Sequence, residues 1–373
     1  MTVWIQNPFD GLPCEGGRKQ RYWLMSEAFL RAGHQVVYWT ADFSHSSKDR
    51  RPPVPSDAVP EGMEVRFVPT RPYPLNVCLA RQRSHRAYAA DWRRMALGDK
   101  GERPSLVVTS MPTISAAEAA LEVARHFGAR VVVDVQDAWP ETFERLFPRR
   151  VRFVARAALA PWRRRARRVY RDADVVTGVC DRYRELVGRD DYYRAYLGIE
   201  RAGELPPDRA ADGVVRLVYS GNLGRSYDLD TVVEAVRAND AMELDVAGFG
   251  EFSTDCPRVR FHGLLHAAAL AELYARCDVG VIPMDDDSWV GVPNKMFDYA
   301  AAGLRIVSSL GGETAALVAK YGCGATYAPG DAASFASAVA KCGGIGRGAP
   351  LALCKAEFDA VRIYDNYVQR ILP

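Results

Sequence analysis

Short apolar runs alternate with longer amphipathic stretches along the first half of the chain. QVVYWT (35–40), EVRFV (64–68) and RVVVDV (130–135) are typical of buried β-strands, whereas ISAAEAALEVARHFG (114–128) has apolar residues at helical spacing. Apolar strands that are separated by helices are typical of a parallel sheet covered on both faces. The first half therefore predicts an α/β domain.

The second half repeats this plan, with strand-like runs such as VVRLVYSGN (214–222), DVGVIPM (278–284) and RIVSSL (305–310). The segment LALCKAEFDAVRIYDNYVQRIL at the end predicts one long amphipathic helix. We therefore predict two Rossmann-like domains, each with a parallel sheet, and a cleft between them that is faced by loops at the carboxyl ends of strands. The predicted boundaries are 1–200 for the first domain, 201–213 for a Gly- and Pro-rich linker, 214–350 for the second domain and 351–373 for the C-terminal helix.

The amino-acid composition restricts the expected protein class, cellular location and cofactors. The 373 residues are 48% hydrophobic and 25% charged, with a net charge of +3, as in ordinary globular proteins. The eight cysteines are dispersed without zinc-ligand spacing, which predicts reduced core residues. Neither a secretory signal nor an 18-residue apolar run occurs, so we expect a cytoplasmic protein. The absence of G-x-G-x-x-G argues against a nicotinamide or flavin cofactor.

The stretch VGVPNKMFDYAAAG (290–303) predicts a helix with Pro293 at its start and Gly303 just past its end. Lys295 would then lie in the first turn, where the helix dipole disfavours a cation by about 0.3–1 kcal/mol. A bound anion would make this lysine favourable, because helix N-termini bind phosphate groups. Asp298 lies three residues later on the same helix face. The alternative is an ordinary exposed ion pair between the two residues.

An ordered series of motifs resembles the donor-binding domain of the GT-B glycosyltransferases, specifically the retaining family 4, also called group 1. The series is YSGNLGRSYDLDTVVEA, LDVAGFGE, VRFHGLLHAAALAELYARCDVGVIPM and VPNKMFDYAAAGLRIVSS. In the first half, FDGLPCEGGRKQR resembles the Gly-Gly loop of the family. VVVDVQDAWPETF resembles the D-x-WP-E segment of members that build bacterial surface polysaccharides. The resemblance covers nearly the whole chain and implies a C-terminal helix that crosses back onto the first domain.

The resemblance implies a set of donor-binding residues. Lys295 would contact the donor diphosphate, Asp298 the ribose hydroxyls, and Arg225 the departing nucleotide, although a loop arginine is often only solvated. The predicted set also includes main-chain groups near the base, the Gly-Gly loop and two further loops. The alternative for the Gly-Gly loop is a flexible turn. These further members are Gly16, Gly17, Asn222, Phe249, Gly250, Leu264, Leu265, Ser288 and Asn294.

One family feature is missing. Many members have two glutamates separated by seven residues, the first of which meets the donor sugar. Counting back from Asp298 places Val290 at that first position, and alignment by the loop places Ser288 there. One of the upstream acids, Asp285, Asp286 or Asp287, could substitute. Because the first acid is missing, the identity of the donor sugar stays open, whereas the type of reaction is less affected.

Asp137 lies just past the strand RVVVDV in a loop that should face the predicted cleft. A carboxylate in that position could accept a proton from the acceptor hydroxyl or support an oxocarbenium-like transition state. It could equally cap the next helix. We therefore predict Asp137 as the catalytic acid or base, with Glu141 as the second candidate.

A basic segment between Arg149 and Arg171 contains ten arginines and no acid, with aromatic residues interleaved. Such a face could lie on anionic lipid or bind a polyprenyl-linked acceptor. Its alternative is a solvated Arg-rich helix, and nucleic-acid binding is a weaker option because no recognised module accompanies the charge. The predicted membrane or acceptor patch comprises Arg163, Arg164, Arg165, Arg167 and Arg168.

The predicted function is that of a retaining glycosyltransferase, which moves a sugar from a nucleotide-diphosphate donor to a hydroxyl of a glycan or lipid-linked saccharide, as in surface-polysaccharide synthesis. A UDP-sugar is favoured over a GDP-sugar, and no metal or other cofactor is expected, because Lys295, Arg225 and the helix dipole supply positive charge. The alternatives are a UDP-GlcNAc 2-epimerase type of enzyme and a catalytically silent partner subunit. Peripheral association with the inner face of the cell membrane is a further expectation.

Overall fold

A computed structural model describes residues 1–76, 78–200, 212–224, 227–284 and 288–372. The chain divides into two compact units, Met1–Leu197 with Ala360–Pro373 and Gly198–Asp359. Each unit is built on one parallel β-sheet, so the fold class is α/β as predicted. Of the predicted linker, residues 201–211 lie outside the described residues.

The first unit has a seven-stranded sheet in the order β3-β2-β1-β4-β5-β6-β7. Every residue of β1 and β4 is buried, as expected for central strands that are covered on both faces. The strands are β1 (Thr2–Gln6), β2 (Gln35–Ala41), β3 (Met63–Val68), β4 (Leu106–Met111), β5 (Arg130–Val135), β6 (Val175–Gly178) and β7 (Tyr193–Arg194). The helices that precede the second unit are α1 (Arg21–Arg31), α2 (Leu79–Gly98), α3 (Ile114–Phe127), α4 (Arg152–Asp172) and α5 (Tyr183–Val187).

A buried ion pair joins α1 to the centre of this sheet. Both the Nε and the Nη2 of Arg21 donate to the carboxylate of Asp134 at 2.7 Å, and Tyr22 and Thr177 donate to the same carboxylate at 2.8 and 2.6 Å. Burial alone would raise the pKa of Asp134, but Arg21 and these hydrogen bonds together lower it. The carboxylate therefore stays charged and holds α1, β5 and β6 together.

The second unit has a six-stranded sheet in the order β10-β9-β8-β11-β12-β13. Its strands are β8 (Val215–Asn222), β9 (Met242–Phe249), β10 (Val259–Phe261), β11 (Val279–Ile282), β12 (Arg305–Ser308) and β13 (Gly324–Thr326). Its helices are α6 (Leu229–Ala238), α7 (Ala267–Arg276), α8 (Asn294–Ala301), α9 (Gly312–Tyr321), α10 (Ala332–Lys341) and α11 (Gly348–Leu353). The buried core lies between α6, α10 and the sheet, where Val232, Leu244, Val281 and Phe335 are fully covered.

The C-terminal segment differs from the prediction of one long helix. After α11 the chain continues as a π-helical turn over Cys354–Phe358, leaves the helical conformation at Asp359 (ψ 113°), and forms α12 over Ala360–Ile371. At the break, Asp359 pairs with Ile199 in an isolated β-bridge. Only α12 belongs to the first unit, where it packs on α1 and buries Tyr364 and Tyr367.

Candidate functional site

The carboxyl ends of β8 and β11 form the candidate donor site of the second unit. From β8 the chain proceeds to β9 on one side and later to β11 on the other, so the strand order reverses between these two neighbours. In parallel α/β sheets, ligands bind outside the carboxyl ends of the strands at such a reversal. Helix α8 follows β11 directly and brings its first turn to this edge.

Lys295 lies in the first turn of α8 and is only 7% exposed. Its Nζ lies 4.4 Å from the ring centroid of Tyr219, on β8, and 3.8 Å from that of Tyr227, which follows the β8 loop. The helix begins after Pro293, which is in an extended conformation, and buries Met296 as part of its apolar face. Two aromatic rings therefore surround a cation at the start of a helix.

At neutral pH, the charged and neutral forms of Lys295 are present in similar amounts. Burial lowers the pKa of Lys295 from 10.5 to about 7, against the opposing effect of Asp298 three residues later. Among the described residues, no carboxylate forms an ion pair with Lys295. A bound anion would favour the charged form of this lysine.

Two paired glycines, Gly221 and Gly248, lie at the carboxyl edge of the sheet, and Gly221 lies beside this lysine. Gly221, the last but one residue of β8, has φ 130°, and a Cβ atom built on it would lie 3.7 Å from the Nζ of Lys295. Gly248, with φ 156°, pairs with it across β9, and a Cβ there would lie 1.7 Å from the carbonyl oxygen of Gly221. Glycine is therefore required for the two strands to meet at this edge.

The other predicted donor residues of this unit differ in exposure. Asn222 and Asn294 are exposed, Gly250 has φ 128°, and the side chains of Phe249 and Leu264 are 58% and 77% exposed. Leu265 is half-buried. The sequence favoured core packing for the leucines, but Leu264 projects into solvent and could cover a ligand directly.

Ser288 does not present a side chain to solvent. It is 2% exposed, and its Oγ accepts a hydrogen bond from the N–H of Val290 at 3.2 Å, which fixes the loop before α8. Arg225 and the acids Asp285, Asp286 and Asp287 lie outside the described residues. The predicted roles of these four residues stay predictions.

The remaining predicted donor residues, Gly16 and Gly17, belong to the first unit and are both exposed. Gly16 has φ 83°, and its N–H donates to the carbonyl of Pro13 at 3.1 Å. That N–H closes a turn and is already engaged, which leaves Gly17 as the better candidate for the predicted contact with the diphosphate.

The two predicted catalytic carboxylates follow β5. Asp137 accepts a hydrogen bond from Thr142 Oγ1 at 3.3 Å, and burial raises its pKa. Glu141 accepts from Arg163 Nε at 3.0 Å, its buried Oε2 has no hydrogen-bond partner in the described part of the chain, and burial also raises its pKa. Because Arg163 restrains Glu141, Asp137 is the better candidate for a general base.

Ion pairs with acidic residues neutralise part of the predicted basic patch on α4. Arg163 pairs with Glu141 and with Glu144, and Arg165 pairs with Glu118 at 2.5 Å. Only three of the five patch residues are exposed, namely Arg164, Arg167 and Arg168. The exposed cationic surface is therefore smaller than the sequence predicted.

Exposed apolar residues lie at the start of α4, within the basic segment for which the sequence predicts a face that could lie on lipid. Phe153 is 70% and Val154 is 54% exposed, and the preceding Phe147 and Val151 are 46% and 41% exposed. Within the described ranges, no helix is both long and apolar enough to cross a membrane.

A group that the sequence analysis missed occupies the carboxyl edge of the first sheet. Its members are aromatic, histidine and basic side chains in mutual contact, and we name it the His85 cluster: Phe9, His45, Lys48, Tyr73, Arg81, His85 and Trp139. The Arg81–His85 pair at a spacing of four was the only local sign of it, since the other members come from distant segments.

Two family models match the chain. Residues 16–196 match a "Glycosyl transferase 4-like domain", and residues 215–342 match "Glycosyl transferases group 1". Together they match well over half of the chain. Among curated proteins, no relative matches by sequence.

Solved structures show the same fold at low sequence identity. The sucrose-phosphate synthase of Thermosynechococcus elongatus is 14% identical, with a TM-score of 0.71 over 99% of this chain and 97% of that one. HepE of Anabaena, in complex with UDP-glucose, is 14% identical, with a TM-score of 0.64 over 99% and 98%. Starch synthase IV of Arabidopsis thaliana, bound to ADP and acarbose, is 11% identical, with a TM-score of 0.67 over 99% and 98%. With these two matched domains and this fold, the chain belongs to the group 1 glycosyltransferases of the GT-B type.

Proposed function

We propose that this glycosyltransferase transfers a sugar from a nucleoside-diphosphate sugar, preferably a UDP-sugar, to a hydroxyl of a lipid-linked saccharide or glycan. Transfer retains the anomeric configuration and serves the synthesis of a cell-surface polysaccharide or glycoconjugate. No metal takes part, because Lys295 and the first turn of α8 supply the positive charge that stabilises the leaving diphosphate.

The buried Lys295 carries this proposal. An amine that is 7% exposed, sits over two tyrosine rings and lacks a carboxylate partner among the described residues is costly in the unliganded protein. A diphosphate at the same sheet edge would offset that cost through charge-assisted hydrogen bonds. UDP is the preferred nucleotide because HepE, of the same fold, is seen with UDP-glucose.

A thermal-shift and calorimetric screen of UDP, GDP, ADP and their glucose derivatives tests the donor. We expect one nucleotide to raise Tm in the wild type and to bind Lys295→Met at least about tenfold more weakly, an interaction of about 1.4 kcal/mol. Lys341→Met, at an exposed lysine of the same unit, serves as the control. Equal affinity in wild type and Lys295→Met would favour the silent-subunit alternative.

The reaction itself is tested by its products. Incubation with the donor alone should give slow hydrolysis, whereas release of an altered free sugar would identify an epimerase. With an acceptor extract, NMR of the product's anomeric proton should show the configuration of the donor. Inversion would refute the retaining mechanism.

Membrane docking is a separate part of the proposal. The exposed Phe153 and Val154 insert into the interface of an anionic bilayer, and the neighbouring exposed Arg150 contacts its headgroups. We expect the protein to sediment with phosphatidylglycerol vesicles but not with phosphatidylcholine vesicles. The double variant Phe153→Ser, Val154→Ser should lose this binding. Val361→Ser, which changes an exposed valine on α12 (48% exposed), should keep it.

A further inference from the structure

The His85 cluster lies where a parallel sheet offers a ligand site. In the first sheet β1 leads to β2 on one side, whereas β4 follows on the other, so the strand order reverses between β1 and β4. Phe9 follows β1, Trp139 follows β5, and α2 supplies Arg81 and His85. This position is equivalent to that of Lys295 in the second sheet.

Arg81 is the central cation of the cluster and is only 9% exposed. Its guanidinium lies 4.7 Å from the ring centroid of Trp139 and 5.4 Å from that of Phe9. One nitrogen donates to the carbonyl of Asn76 at 2.6 Å, and Nε donates to His85 Nε2 at 3.2 Å. Neutral acceptors therefore take its hydrogen bonds, and among the described residues no carboxylate forms an ion pair with it.

Lys48 adds a second cation to the same cluster. Its Nζ lies 4.9 Å from the ring centroid of Tyr73 and donates to Asn76 Oδ1 at 2.7 Å. Among the described residues other than glycine, Lys48 alone has a positive φ, 64°, a conformation that L-residues adopt only at a cost. Burial lowers the pKa of His45 most, and the positive charges of Arg81 and Lys48 lower it further.

The two histidines add hydrogen-bonding capacity without charge. Burial, with the positive charge of Arg81, lowers the pKa of His85 to about 3 and that of His45 to about 4. Both rings are therefore neutral at physiological pH. Since Nε2 of His85 accepts from Arg81, its Nδ1 carries the ring hydrogen and can donate to a ligand.

His85 lines two adjoining cavities. The first has Trp139 and Trp162 in its wall together with Arg86. The second is lined by Phe9, Phe43, Tyr73 and Ser84, and the buried Oγ of Ser84 has no hydrogen-bond partner among the described residues. Aromatic walls with a few placed polar groups are typical of small-molecule sites.

We propose that the His85 cluster binds an oxyanion of the acceptor, a phosphate or a carboxylate, with the attached group held against the aromatic walls. The inference rests on the proposed glycosyl transfer and specifies its acceptor as an anionic one. A buried guanidinium that forms no ion pair with a carboxylate of the described residues is destabilising, and its planar fork matches carboxylate and phosphate oxygens. Asp137, two residues before Trp139, attracts Arg81 and would lie beside the bound acceptor.

Three probes of known chemistry test the site: farnesyl diphosphate, methyl glucuronide and, as the neutral control, methyl glucoside. Calorimetry should detect binding of at least one anionic probe, weakening with salt, and no comparable binding of methyl glucoside. Binding of farnesyl diphosphate alone would identify a lipid diphosphate, and binding of the glucuronide alone an acidic sugar. Either result supports the proposal.

The variants Arg81→Gln and Lys48→Met should each reduce the affinity for that probe tenfold or more. Arg83→Gln, at an exposed arginine of the same helix, should leave it unchanged. Lys48 is half-buried, so its variant should fold even if that of Arg81 does not. Absence of anion binding, or equal affinity in Lys48→Met and wild type, would overturn the inference. Donor binding, measured in parallel, fails only if the proposed function itself is wrong.

Discussion

Replacing Lys295 with methionine removes a group that should make donor binding depend on pH. With a pKa of about 7, this amine is about nine-tenths charged at pH 6 and about one-tenth charged at pH 8 in the unliganded protein. A diphosphate within contact distance raises the pKa of a lysine by about 1–3. Donor binding is therefore coupled to proton uptake.

The direction and size of the effect follow from this linkage. Because the pKa is higher in the complex, affinity is greatest below pH 7 and falls as pH rises. If the pKa in the complex is about 9, the dissociation constant increases about tenfold between pH 6 and pH 8, or about 1.4 kcal/mol. Above pH 9 the dependence should level off.

Calorimetric titration with a UDP-sugar is the suitable assay. UDP itself has a terminal phosphate that titrates near pH 6, which would oppose the effect, whereas both phosphates of a UDP-sugar keep a constant charge. Lys295→Met should bind weakly with a nearly flat profile, and Lys341→Met should keep the wild-type slope. An equal slope in wild type and Lys295→Met would refute the reasoning.

The same substitution should stabilise the unliganded protein. A fall in pKa from 10.5 to about 7 corresponds to about 5 kcal/mol of lost stability. Since the folded pKa is the lower one, the loss is complete below pH 7 and disappears as pH rises towards 10.5. Denaturant unfolding should therefore show Lys295→Met more stable than wild type, by a larger margin at pH 6 than at pH 9. A variant less stable than wild type at pH 6 would contradict the burial cost.

Three further substitutions test other parts of the structure. Asp137→Asn should lower kcat by about 10²–10⁴ while nucleotide affinity stays unchanged, which steady-state kinetics and calorimetry would show. Asp134→Asn should destabilise the first unit by about 3–5 kcal/mol in urea unfolding, because it leaves the charge of Arg21 buried without its partner. Gly248→Ala should abolish donor binding or folding, since the added Cβ would lie 1.7 Å from a carbonyl oxygen, whereas Gly344→Ala, in open space of the same unit, should do neither.

The central strands could be predicted because they are buried on both faces. β1, β4 and β5 each contain a run of three apolar residues for this reason. The edge strands β7 and β13 have two and three residues and only partly buried or exposed side chains, so no apolar run marks them. Both edge strands exist because they pair with a neighbouring strand, and the local sequence does not encode that pairing.

The C-terminal segment shows a different limit of prediction. Its apolar periodicity continues from α11 into α12, and no proline or glycine interrupts 351–372. The helix breaks at Asp359 because the carbonyl of Phe358 accepts a hydrogen bond from the N–H of Ile199 at 2.8 Å. Such a break depends on a distant segment and has no local signature.

The candidate site could be predicted only as far as local pattern reaches. The helix start at Pro293 drew attention to Lys295, but its burial over Tyr219 and Tyr227 depends on the meeting of β8 and α8. Likewise, nothing in the sequence near Arg81 indicates that it packs on Trp139. Contacts between distant segments convert an ordinary cation into a buried one.

Lys295 and Arg81 have the same physical relationship to their surroundings, each within its own unit. Each is nearly buried, each lies over aromatic rings at the carboxyl edge of a parallel sheet, and neither has a carboxylate partner among the described residues. A cation in such a position weakens the fold, since cation–π contacts recover only about 0.5–2 kcal/mol of the desolvation cost. The structure therefore carries two costs that an anionic ligand would relieve, a donor diphosphate at Lys295 and an acceptor oxyanion at Arg81. Under the two proposals, stability is reduced at the positions where the donor diphosphate and the acceptor oxyanion bind.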